Sequence, residues 1–465
     1  MQWQRAWVSP FADYLHDFAE LIGDKRTWET LAETVKGIIS AGSLVCRKIA
    51  SCSPILSAVK DGAQRVIRFA KGRSTERSEV DAEHLTERLR SRGLAHLREV
   101  EGKELWLILD SSDLRKPYAQ EMPALMEVKD LNGNLVPGYR TVNVLGIAPK
   151  RRAILYHRLF SSQEDGFSSE PLEMQQALQT VSQALQPWKE EQAELVVTWI
   201  MDSGMDDVAI WRTVWEQEEH LVCRLKHSQR LVEFLDEEGE WQGGNIEQSR
   251  EHLRMLAKTK TSMRVRVGRQ RRAKMQPVEV EIRVCPIRVT YDLQVRRNRP
   301  EEIVSKPLWL IEVRLPDAHM KPWLLITDRP VTGPASARRV FYMYRQRWAV
   351  EDAFKFTKNC LGWEDVQLLD LEGVRTLVAL AWVAAGFLYE LGINLEWPEV
   401  QLLARLGGWV QRKDRPPGKI AITRGLRRLM EAMTTQAFLD EYIAEHGALP
   451  PRIAAIMREM RSQDL

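Results

Sequence analysis

Two apolar segments that each end in an aspartate constrain the fold of this chain more than any other feature. They are ELWLILDSS (104–112), which carries Asp110, and ELVVTWIMDSG (194–204), which carries Asp202. Continuous apolar runs of this length, with helical patterns between them, are typical of buried strands in an α/β sheet. The carboxyl ends of such strands deliver side chains to a crevice at one edge of the sheet. We therefore predict an α/β fold in which both aspartates lie at that edge.

A third acidic residue lies in a segment with a helical pattern, YRQRWAVEDAFKFTK (344–358). At about 100° per residue, a helix places four polar residues of this segment on one stripe beside a row of apolar residues. These four are Tyr344, Arg347, Glu351 and Lys358. The simplest interpretation is a surface helix in which Arg347 and Glu351 form an i,i+4 ion pair, worth about 0.2–0.5 kcal/mol. The alternative is that the stripe belongs to a functional site.

Asp110, Asp202 and Glu351 come from three separate elements and together could form a metal centre. Taken alone, an aspartate at a strand end is most often a cap or turn residue. Three carboxylates in one place, however, can hold two divalent ions about 3.5–4 Å apart, an arrangement that activates a nucleophile and stabilises the leaving oxygen of a phosphodiester. Mg²⁺ is the expected ion because oxygen ligands dominate, and Mn²⁺ is expected to substitute for it. Asp113 is an alternative ligand, but Asp110 is preferred because it directly ends the apolar run.

Basic residues are concentrated in three segments, although the net charge of the chain is only +3. Residues 36–77 hold nine Lys and Arg against two acids, residues 250–299 hold fifteen against four, and residues 405–428 hold eight against one. A single basic run is usually a solvated surface. Three runs spread along the chain instead indicate distributed contacts with the phosphates of a long polyanion. The charge pattern therefore predicts a nucleic-acid partner.

The rest of the composition indicates a globular protein in a reducing compartment. The chain has five cysteines, an odd number without zinc spacing, which argues against a disulfide framework. The N-terminus has no apolar signal core, and the longest apolar run, residues 377–389, is too short to span a bilayer and is predicted to be a buried helix. We expect a protein of the reducing cytosol with no membrane contact.

Periodicity and composition divide the chain into five predicted parts. These are a helical DNA-binding domain (1–100), the first part of an α/β core (101–234), a β-strand insertion (235–320), the second part of the core with one helix within residues 335–361 (321–394), and a helical C-terminal domain (395–465). In the first part of the core, VNVLGIAP (142–149) and RAILYHRLF (152–160) alternate in the manner of a hairpin pair, and HLVCRLKHSQR (220–230) is predicted to be a strand. Arg224 and Lys226 would then lie on one face of that strand.

The segment 344–358 resembles the Y-x2-R-x3-E-x6-K signature of DDE-class DNA transposases of the insertion sequence 4 family, cut-and-paste type. The four polar residues of the stripe occupy the four signature positions, and Trp348 follows the arginine as it does in cut-and-paste members. The order of the preceding motifs is also similar: LILDSSD, IMDSGMDD and CRLKH, the last of which resembles the R-x-K-H element of the family. The resemblance covers residues 100–395 well and the helical N-terminus loosely.

The resemblance implies an RNase H-like catalytic core and a role for each matching residue. Asp110, Asp202 and Glu351 would be the catalytic metal ligands. Tyr344, Arg347 and Lys358 would hold phosphates at the transposon end, and Arg224 and Lys226 are expected to contact phosphate as well. Trp348 and Trp323 would hold a flipped base during hairpin formation. For Trp323, packing against the sheet is an alternative interpretation.

The function that the resemblance implies is that of a DNA transposase of bacterial type, located in the cytoplasm and associated with the nucleoid. Such an enzyme binds the inverted repeats of an insertion sequence, cleaves DNA and joins the 3′-OH ends to target DNA. The expected partners are double-stranded DNA, as transposon ends and as target, and a second copy of the chain in a synaptic complex. Two alternatives stay open. One is a catalytically silent, domesticated DNA-binding protein, which the presence of all three acids disfavours. The other is an RNase H-like nuclease without strand transfer, which the polar stripe and the tryptophan pair disfavour.

Overall fold

A computed structural model describes residues 10–53, 61–71, 80–100, 102–130, 132–267, 272–292, 303–410 and 416–462 of the chain. The strands are β1 (Glu104–Arg115), β2 (Met126–Lys129), β3 (Leu135–Ala148), β4 (Arg151–Phe160), β5 (Val196–Met201), β6 (His220–Arg224), β7 (Leu231–Leu235), β8 (Trp241–Asn245), β9 (Arg254–Val265), β10 (Lys274–Asp292), β11 (Ile303–Arg314) and β12 (Trp323–Thr327).

Helices precede, interrupt and follow this series of strands. The α-helices are α1 (Lys25–Ala41), α2 (Cys46–Ser51), α3 (Gly62–Ala70), α4 (Ala82–Arg98), α5 (Glu170–Glu191), α6 (Val208–Glu216), α7 (Ile246–Ser249), α8 (Pro334–Arg345), α9 (Trp348–Cys360), α10 (Leu371–Asn394), α11 (Trp397–Leu406), α12 (Lys419–His446) and α13 (Pro451–Ser462). Short 3₁₀ turns lie at Ala19–Leu21, Ser203–Met205, Arg250–His252 and Trp363–Asp365.

The sheet has an RNase H-like order in its first half. Strands β4, β3 and β1 are neighbours with antiparallel pairing, and β5 and then β6 continue the sheet parallel to β1. Helix α5 connects β4 to β5. Helix α6 forms the crossover between β5 and β6, which are parallel neighbours. The predicted α/β fold with an RNase H-like core is confirmed, and so is the predicted hairpin of β3 and β4.

The continuous apolar sequence of β1 results from the position of this strand between two packed layers. Leu107 and Leu109 point into a cluster of buried side chains that includes residues of α5 and α6. Ile108, between them, points to the other face of the sheet, into a cluster that includes residues of α4 and α10. Because both faces are covered, the alternation of apolar and polar residues that marks a half-exposed strand is absent here.

The strands of residues 231–314 extend the same sheet. Strand β12 pairs with β6, and the order continues through β11, β10, β7 and β8. Strand β9 pairs with β10 along the same edge as β7. The predicted β insertion of residues 235–320 therefore corresponds to strands that adjoin the core through β11 and β12. The domain boundaries themselves stay a prediction.

The predicted strand at residues 220–230 is shorter than expected. Strand β6 ends at Arg224, and the residues after Leu225 form a turn. The prediction was wrong beyond Arg224 because the buried Asp206 side chain accepts hydrogen bonds from the backbone amides of Lys226 (2.6 Å) and His227 (2.8 Å). These amides are directed away from a neighbouring strand, so the sheet ladder cannot continue through them.

Helix α10 contains the long apolar run of the sequence. The helix has 24 residues, and in the described part of the chain it is the single helix long and apolar enough to cross a membrane. The prediction that this segment is too short to span a bilayer was therefore wrong, because the helix is longer than the 13-residue apolar run. However, 67% of the most apolar stretch of the helix is buried inside the protein. Helices α1, α3 and α4 pack against α10 and share its core, so the predicted helix at 377–389 is confirmed as a core helix.

The segment predicted as one helix within residues 335–361 is two helices, α8 and α9, joined by Gln346 and Arg347. Around this junction the amides of Gln346, Arg347, Ala349 and Val350 donate to carbonyls three residues back, at 2.8–3.2 Å. These bonds tighten the turn in the manner of a 3₁₀ helix. The continuous helix was a wrong prediction here, and no proline or glycine marks the break. Glu351 consequently lies in the first turn of α9, where the helix dipole favours an acidic side chain.

Helices α11 and α12 cross so closely that glycine is required at the contact. A Cβ on Gly425 would lie 1.8 Å from the backbone oxygen of Leu403, and a Cβ on Gly407 would lie 1.8 Å from that of Ala421. We expect Gly425→Ala to reduce the free energy of unfolding by about 1–3 kcal/mol, because the two backbones must separate. Urea unfolding of the full chain measures this effect.

Gly392→Ala is the matched control for that measurement. Gly392 is also helical, and a Cβ there meets no atom within 4 Å. We expect this variant to be neutral or stabilised by up to about 1 kcal/mol, as alanine is the better helix former. Equal unfolding curves for the two variants would show that the close crossing of α11 and α12 is absent in solution.

Candidate active site

The two predicted aspartates lie side by side on neighbouring parallel strands. The ladder between β1 and β5 ends with Leu109 opposite Met201, so Asp110 and Asp202 are the next residues on the two strands. Asp202 directly follows β5, as predicted. Asp110 does not end its strand, which is a correction: β1 continues to Arg115 because it stays paired with β3 after it has lost β5. Asp110 thus marks the end of one ladder within a longer strand.

Glu351 joins the two aspartates through the side chain of Arg347. The guanidinium Nη2 donates to Glu351 Oε1 at 2.5 Å, and Nη1 donates to Asp110 Oδ2 at 3.2 Å. The same Nη1 lies 3.7 Å from Asp202 Oδ2. The simple i,i+4 pair of Arg347 and Glu351 therefore exists, but it is one part of a cluster of four charged groups. We call Asp110, Asp202, Glu351 and Arg347 the acidic cluster.

Burial makes the acidic cluster electrostatically unusual. The Asp110 carboxyl is largely withdrawn from water, and this burial, opposed by Arg347 and reinforced by Asp202 and Glu351, raises its pKa to about 7. Burial lowers the pKa of the Arg347 guanidinium, but Asp202 and the other nearby anions outweigh it and raise that pKa overall. Three carboxylates thus face one guanidinium. The excess of negative charge favours the binding of a further cation.

The donor set of the acidic cluster fits a hard divalent ion in its chemistry. All of its potential ligand atoms are carboxylate oxygens, which Mg²⁺ and Mn²⁺ prefer. Among the described residues, however, no group of three or more His, Cys, Asp or Glu side chains is arranged to hold a metal ion as it stands. Arg347 bonds to two of the carboxylates from the middle of the cluster. Binding of a metal ion by all three acids therefore requires this side chain to move.

Two other residues of the polar stripe are held by contacts within the protein. The Tyr344 hydroxyl donates to Asp202 Oδ1 at 3.1 Å, and burial together with Asp202 raises the pKa of Tyr344. Lys358 Nζ donates to the backbone oxygen of Asp113 at 2.6 Å and lies 3.4 Å from Glu364 Oε1. Burial lowers the pKa of Lys358, opposed by Glu364. Tyr344 thus contacts the acids directly, whereas the contacts of Lys358 are with Asp113 and Glu364, outside the acidic cluster.

Asp113 lies outside the acidic cluster. Its carboxylate accepts from Arg140 Nε at 3.2 Å, and Arg140 also pairs with Glu170. Along β1, Asp113 is paired with Arg140 in the register with β3, well past the end of β5. The structure therefore brings Asp110, and not Asp113, next to Asp202.

The two tryptophans contact each other beside the acidic cluster, but their exposure differs. Their rings meet edge to face at a centroid distance of 5.9 Å, and Trp323 also packs against Tyr344 at 5.4 Å. Trp348 is 38% exposed, whereas Trp323 is 3% exposed and belongs to the hydrophobic core. The exposed ring of Trp348 is accessible to a nucleobase, whereas the buried ring of Trp323 is not. The alternative of sheet packing for Trp323 agrees with this burial.

Arg224 and Lys226 lie near the acidic cluster, next to a residue that the sequence analysis did not identify. Asp206 follows Asp202 in the MDSGMDD segment, and its carboxylate holds the loop after β6 through the amides of Lys226 and His227. Arg230 donates to the same carboxylate at 2.6 Å. Arg224 is half-buried and Lys226 is exposed. The only sequence signal was a second aspartate four residues after the first.

A row of polar side chains crosses three adjacent strands, and it was not predicted from the sequence. Asn143 on β3 is opposite Asp110, and His157 on β4 is opposite Asn143. The His157 Nδ1–H donates to Asn143 Oδ1 at 2.8 Å, and its ring packs against Trp363 and Trp382. Burial lowers the pKa of His157 to about 3, so the imidazole is neutral in the folded protein. Two polar residues at facing positions of an apolar hairpin were the available signal.

The neutral His157 predicts a pH dependence of stability. Between pH 6.5 and 3, the unfolded chain binds a proton at this position that the folded chain does not bind. Stability therefore falls as the pH is lowered through this window, by about 1.4 kcal/mol per unit at full effect, and the contribution is constant above it. We expect His157→Gln to have a shallower loss of stability on acidification. Chemical denaturation at a series of pH values measures the slope.

His446→Gln provides the control for the His157 measurement, because His446 is exposed at the end of α12. The acid slope of His157→Gln is compared with the slopes of this variant and of the wild type. If the slopes of His157→Gln and the wild type are the same, His157 is protonated in the folded protein and the assigned neutral state is incorrect.

The chain is similar to known proteins over a region that contains part of the acidic cluster. A family model described as the transposase DDE domain matches residues 173–385, a region that includes Asp202 and Glu351 and begins after Asp110. Among solved structures, the chain is similar to a piggyBac transposase synaptic complex with hairpin DNA, studied by electron cryo-microscopy, at 10% identity and a TM-score of 0.36. The alignment covers 73% of this chain and 54% of that chain, so this protein spans about half the length of that transposase. No curated protein matches the chain. The family match over residues 173–385 supports the presence of a DDE transposase domain in this chain.

Proposed function

We propose that the protein is a metal-dependent DNA transposase of the cut-and-paste insertion sequence 4 type. It would bind the inverted repeats of its element, cleave a phosphodiester to free a 3′-OH, pass through a hairpin intermediate and join the 3′-OH ends to target DNA. The observation that carries this proposal is the convergence of Asp110, Asp202 and Glu351 on one guanidinium. Three elements far apart in the chain supply these acids, and two of the acids lie in the region that matches the DDE domain family.

In this proposal Asp110, Asp202 and Glu351 hold two divalent ions, Mg²⁺ or Mn²⁺. The bound ions would supply an activated water or hydroxyl and stabilise the leaving oxygen of the phosphodiester. Tyr344 orients Asp202 through its hydroxyl, which donates to one carboxylate oxygen and leaves the other for a ligand. Asn143 and His157 fix the strand that neighbours Asp110.

DNA phosphates are the proposed partners of the cationic groups around the acidic cluster. Arg347 and Lys358 would exchange their internal partners for phosphate oxygens, which an arginine can bind in a bidentate manner. Lys226, exposed on the loop that Asp206 holds, lies at the same edge of the sheet. These contacts position the DNA and carry no sequence information by themselves.

The basic strand β9 supports a DNA surface that continues beyond the acidic cluster. Lys258, Lys260 and Arg264 are exposed at alternate positions of β9 and so share one face. Strand β9 lies beside α8, where Arg345 donates to the hydroxyl of Thr261 at 2.5 Å. One of the three basic segments of the sequence is thus next to the helix that precedes Arg347. Such a surface would make DNA binding strongly dependent on salt.

The partners and the location of the protein follow from the same proposal. Pairing of two transposon ends calls for a second copy of the chain in a synaptic complex. Double-stranded DNA is both the substrate and the target. We propose that the protein acts in the cytoplasm at the nucleoid, without membrane contact, as helix α10 is mostly buried.

A mobility assay tests the proposed function. A marker gene is placed between the DNA segments that border the coding region on its two sides, and the full-length protein is supplied in trans in a bacterial host. We expect the marker to move to new sites, with short target duplications on sequencing, and no movement with Asp110→Asn. DNA binding without movement would favour the catalytically silent alternative. Cleavage at the borders without joined products would favour the nuclease alternative.

A further inference from the structure

The guanidinium of Arg347 lies between the three acids and is surrounded by their carboxylate oxygens. Its two terminal nitrogens engage Asp110 Oδ2 and Glu351 Oε1, and one of them also lies near Asp202 Oδ2. The outer oxygens of the aspartates are used elsewhere: Asp110 Oδ1 accepts from the amide of Ser111 at 2.9 Å, and Asp202 Oδ1 accepts from Tyr344. The inward lone pairs of the acids are therefore engaged by the protein's own cation.

A divalent ion and this guanidinium compete for the same oxygens. A guanidinium carries donors only and cannot itself be a metal ligand. Its positive charge also repels a second cation within a few ångströms, and this repulsion is strong in a largely buried site. As long as Arg347 lies among the acids, all three cannot coordinate a metal ion together. This agrees with the lack of a ready three-ligand group among the described residues.

The arrangement leaves Arg347 incompletely satisfied. Its Nε is buried and has no hydrogen-bond partner among the described residues. An unpaired buried donor is unfavourable, so this arrangement of Arg347 is less stable than one in which Nε is hydrogen-bonded. The backbone of Arg347 lies in the tight turn between α8 and α9, so the side chain projects from a junction rather than from the middle of a helix. A phosphate group offers this residue an alternative partner that accepts from Nε and a terminal nitrogen in parallel.

We propose that Arg347 alternates between two partners, the three carboxylates in the free protein and a DNA phosphate in the complex, so that divalent-metal binding is coupled to DNA binding. The proposal rests on the proposed function of Asp110, Asp202 and Glu351 as metal ligands. By thermodynamic linkage, DNA strengthens metal binding and metal strengthens DNA binding by the same factor, typically about 5- to 150-fold. The free protein is thereby kept from assembling its metal centre before DNA is in place.

Metal binding without DNA tests the first half of the proposal. Mn²⁺ is titrated into the full-length protein, and the free ion is followed by electron paramagnetic resonance. We expect Arg347→Gln to bind Mn²⁺ at least about fivefold more tightly than the wild type, because the competing cation has been removed. Arg345→Gln is the matched control, since Arg345 bonds to Thr261 and Ser262 on β9 and not to the acids. An unchanged or weaker Mn²⁺ affinity in Arg347→Gln would overturn the proposal.

Two further variants keep this measurement decisive. Asp110→Asn combined with Arg347→Gln should lose the gain in Mn²⁺ affinity, because the ion binds in the acidic cluster. A gain that persists in the double variant would place the ion elsewhere and refute the mechanism. If Arg347→Gln does not fold by circular dichroism, Arg347→Lys serves instead. Lysine keeps the charge but cannot span two carboxylates. We expect a smaller gain with this variant, and no gain at all would count against the proposal.

The second half of the proposal is tested with a mixed-sequence DNA duplex at low salt. The Mn²⁺ affinity of the wild type should rise by about fivefold or more on addition of the duplex, and that of Arg347→Gln should rise much less. Equal effects of the duplex on both proteins would refute the coupling. These readouts do not depend on catalysis. If the marker gene does not move but metal and DNA binding are still coupled, only the proposed function is refuted. If the marker gene moves but the Mn²⁺ affinity of Arg347→Gln equals that of the wild type, only the coupling is refuted.

Discussion

We expect Asp110→Asn, Asp202→Asn and Glu351→Gln each to reduce metal-dependent DNA cleavage by more than about 100-fold. Changes in residues that only support metal ligands already reduce metal affinity or activity by roughly 10- to 100-fold, and these three residues are the proposed ligands themselves. Binding of end DNA should stay nearly unchanged, because the basic segments outside the acidic cluster supply most of the affinity. Gel assays of labelled end DNA with Mg²⁺ measure both quantities.

Asp113→Asn is the matched control for this series. Asp113 lies on the same strand as Asp110 but pairs with Arg140 instead of the acidic cluster. Cleavage by this variant should resemble that of the wild type. Full cleavage by any one of the three acidic variants would remove that residue from the proposed metal site, and loss of cleavage in Asp113→Asn would reopen the choice between Asp110 and Asp113.

We expect the two tryptophans to differ when each is replaced by alanine. Trp348→Ala should still nick end DNA but lose hairpin and strand-transfer products by about 5- to 160-fold, consistent with about 1–3 kcal/mol of lost stacking on a base. Its stability should change little because the ring is 38% exposed. Trp323→Ala should instead lose about 3–5 kcal/mol of stability, as expected for a buried tryptophan. Time courses on denaturing gels and urea unfolding separate the two effects.

Trp397→Ala is the control for exposed tryptophans, since Trp397 is 53% exposed at the start of α11. It should affect neither the products nor the stability to a comparable degree. If Trp348→Ala made hairpin and transfer products at the wild-type rate, a role in holding an extruded base would be excluded. If Trp323→Ala kept full stability but lost hairpin formation, Trp323 would contact the base despite its burial.

Local patterns in the sequence were sufficient to predict most of the strands and helices around the acidic cluster. The apolar runs at 104–112 and 194–204 predicted β1 and β5, because a strand covered on both faces has to be apolar at every position. The alternating patterns at 142–149 and 152–160 predicted the hairpin of β3 and β4. The spacing of the polar stripe identified Glu351 as a partner for the two aspartates. These features depend on residues within one or two turns or strands, so a sequence window contains them.

The sequence was misleading where backbone hydrogen bonds depend on distant partners. Asp110 was expected to end a strand, but β1 continues because β3 stays paired with it. The loop after β6 is turned by Asp206, about twenty residues earlier in the chain. The break between α8 and α9 has no local marker at all. In the first two cases the deciding hydrogen bonds join segments whose proximity a one-dimensional pattern does not contain. The hydrogen bonds at the break between α8 and α9 are local, but no residue type in the sequence indicates them.

The sequence by itself determined which residue types are present at which spacing: the two strand-borne aspartates, the helical Glu351 and the basic segments that suggest a polyanionic partner. Only the tertiary structure decided which of these groups meet. Arg347 and Asp110 are 237 residues apart in the chain, yet they share a hydrogen bond of 3.2 Å. Burial in the sheet and helix packing, both properties of the folded state, raise the pKa of Asp110 and bury Trp323 while leaving Trp348 exposed. Periodicity reports how a segment contacts its nearest surroundings, whereas charge compensation and solvent exclusion depend on the whole packed molecule.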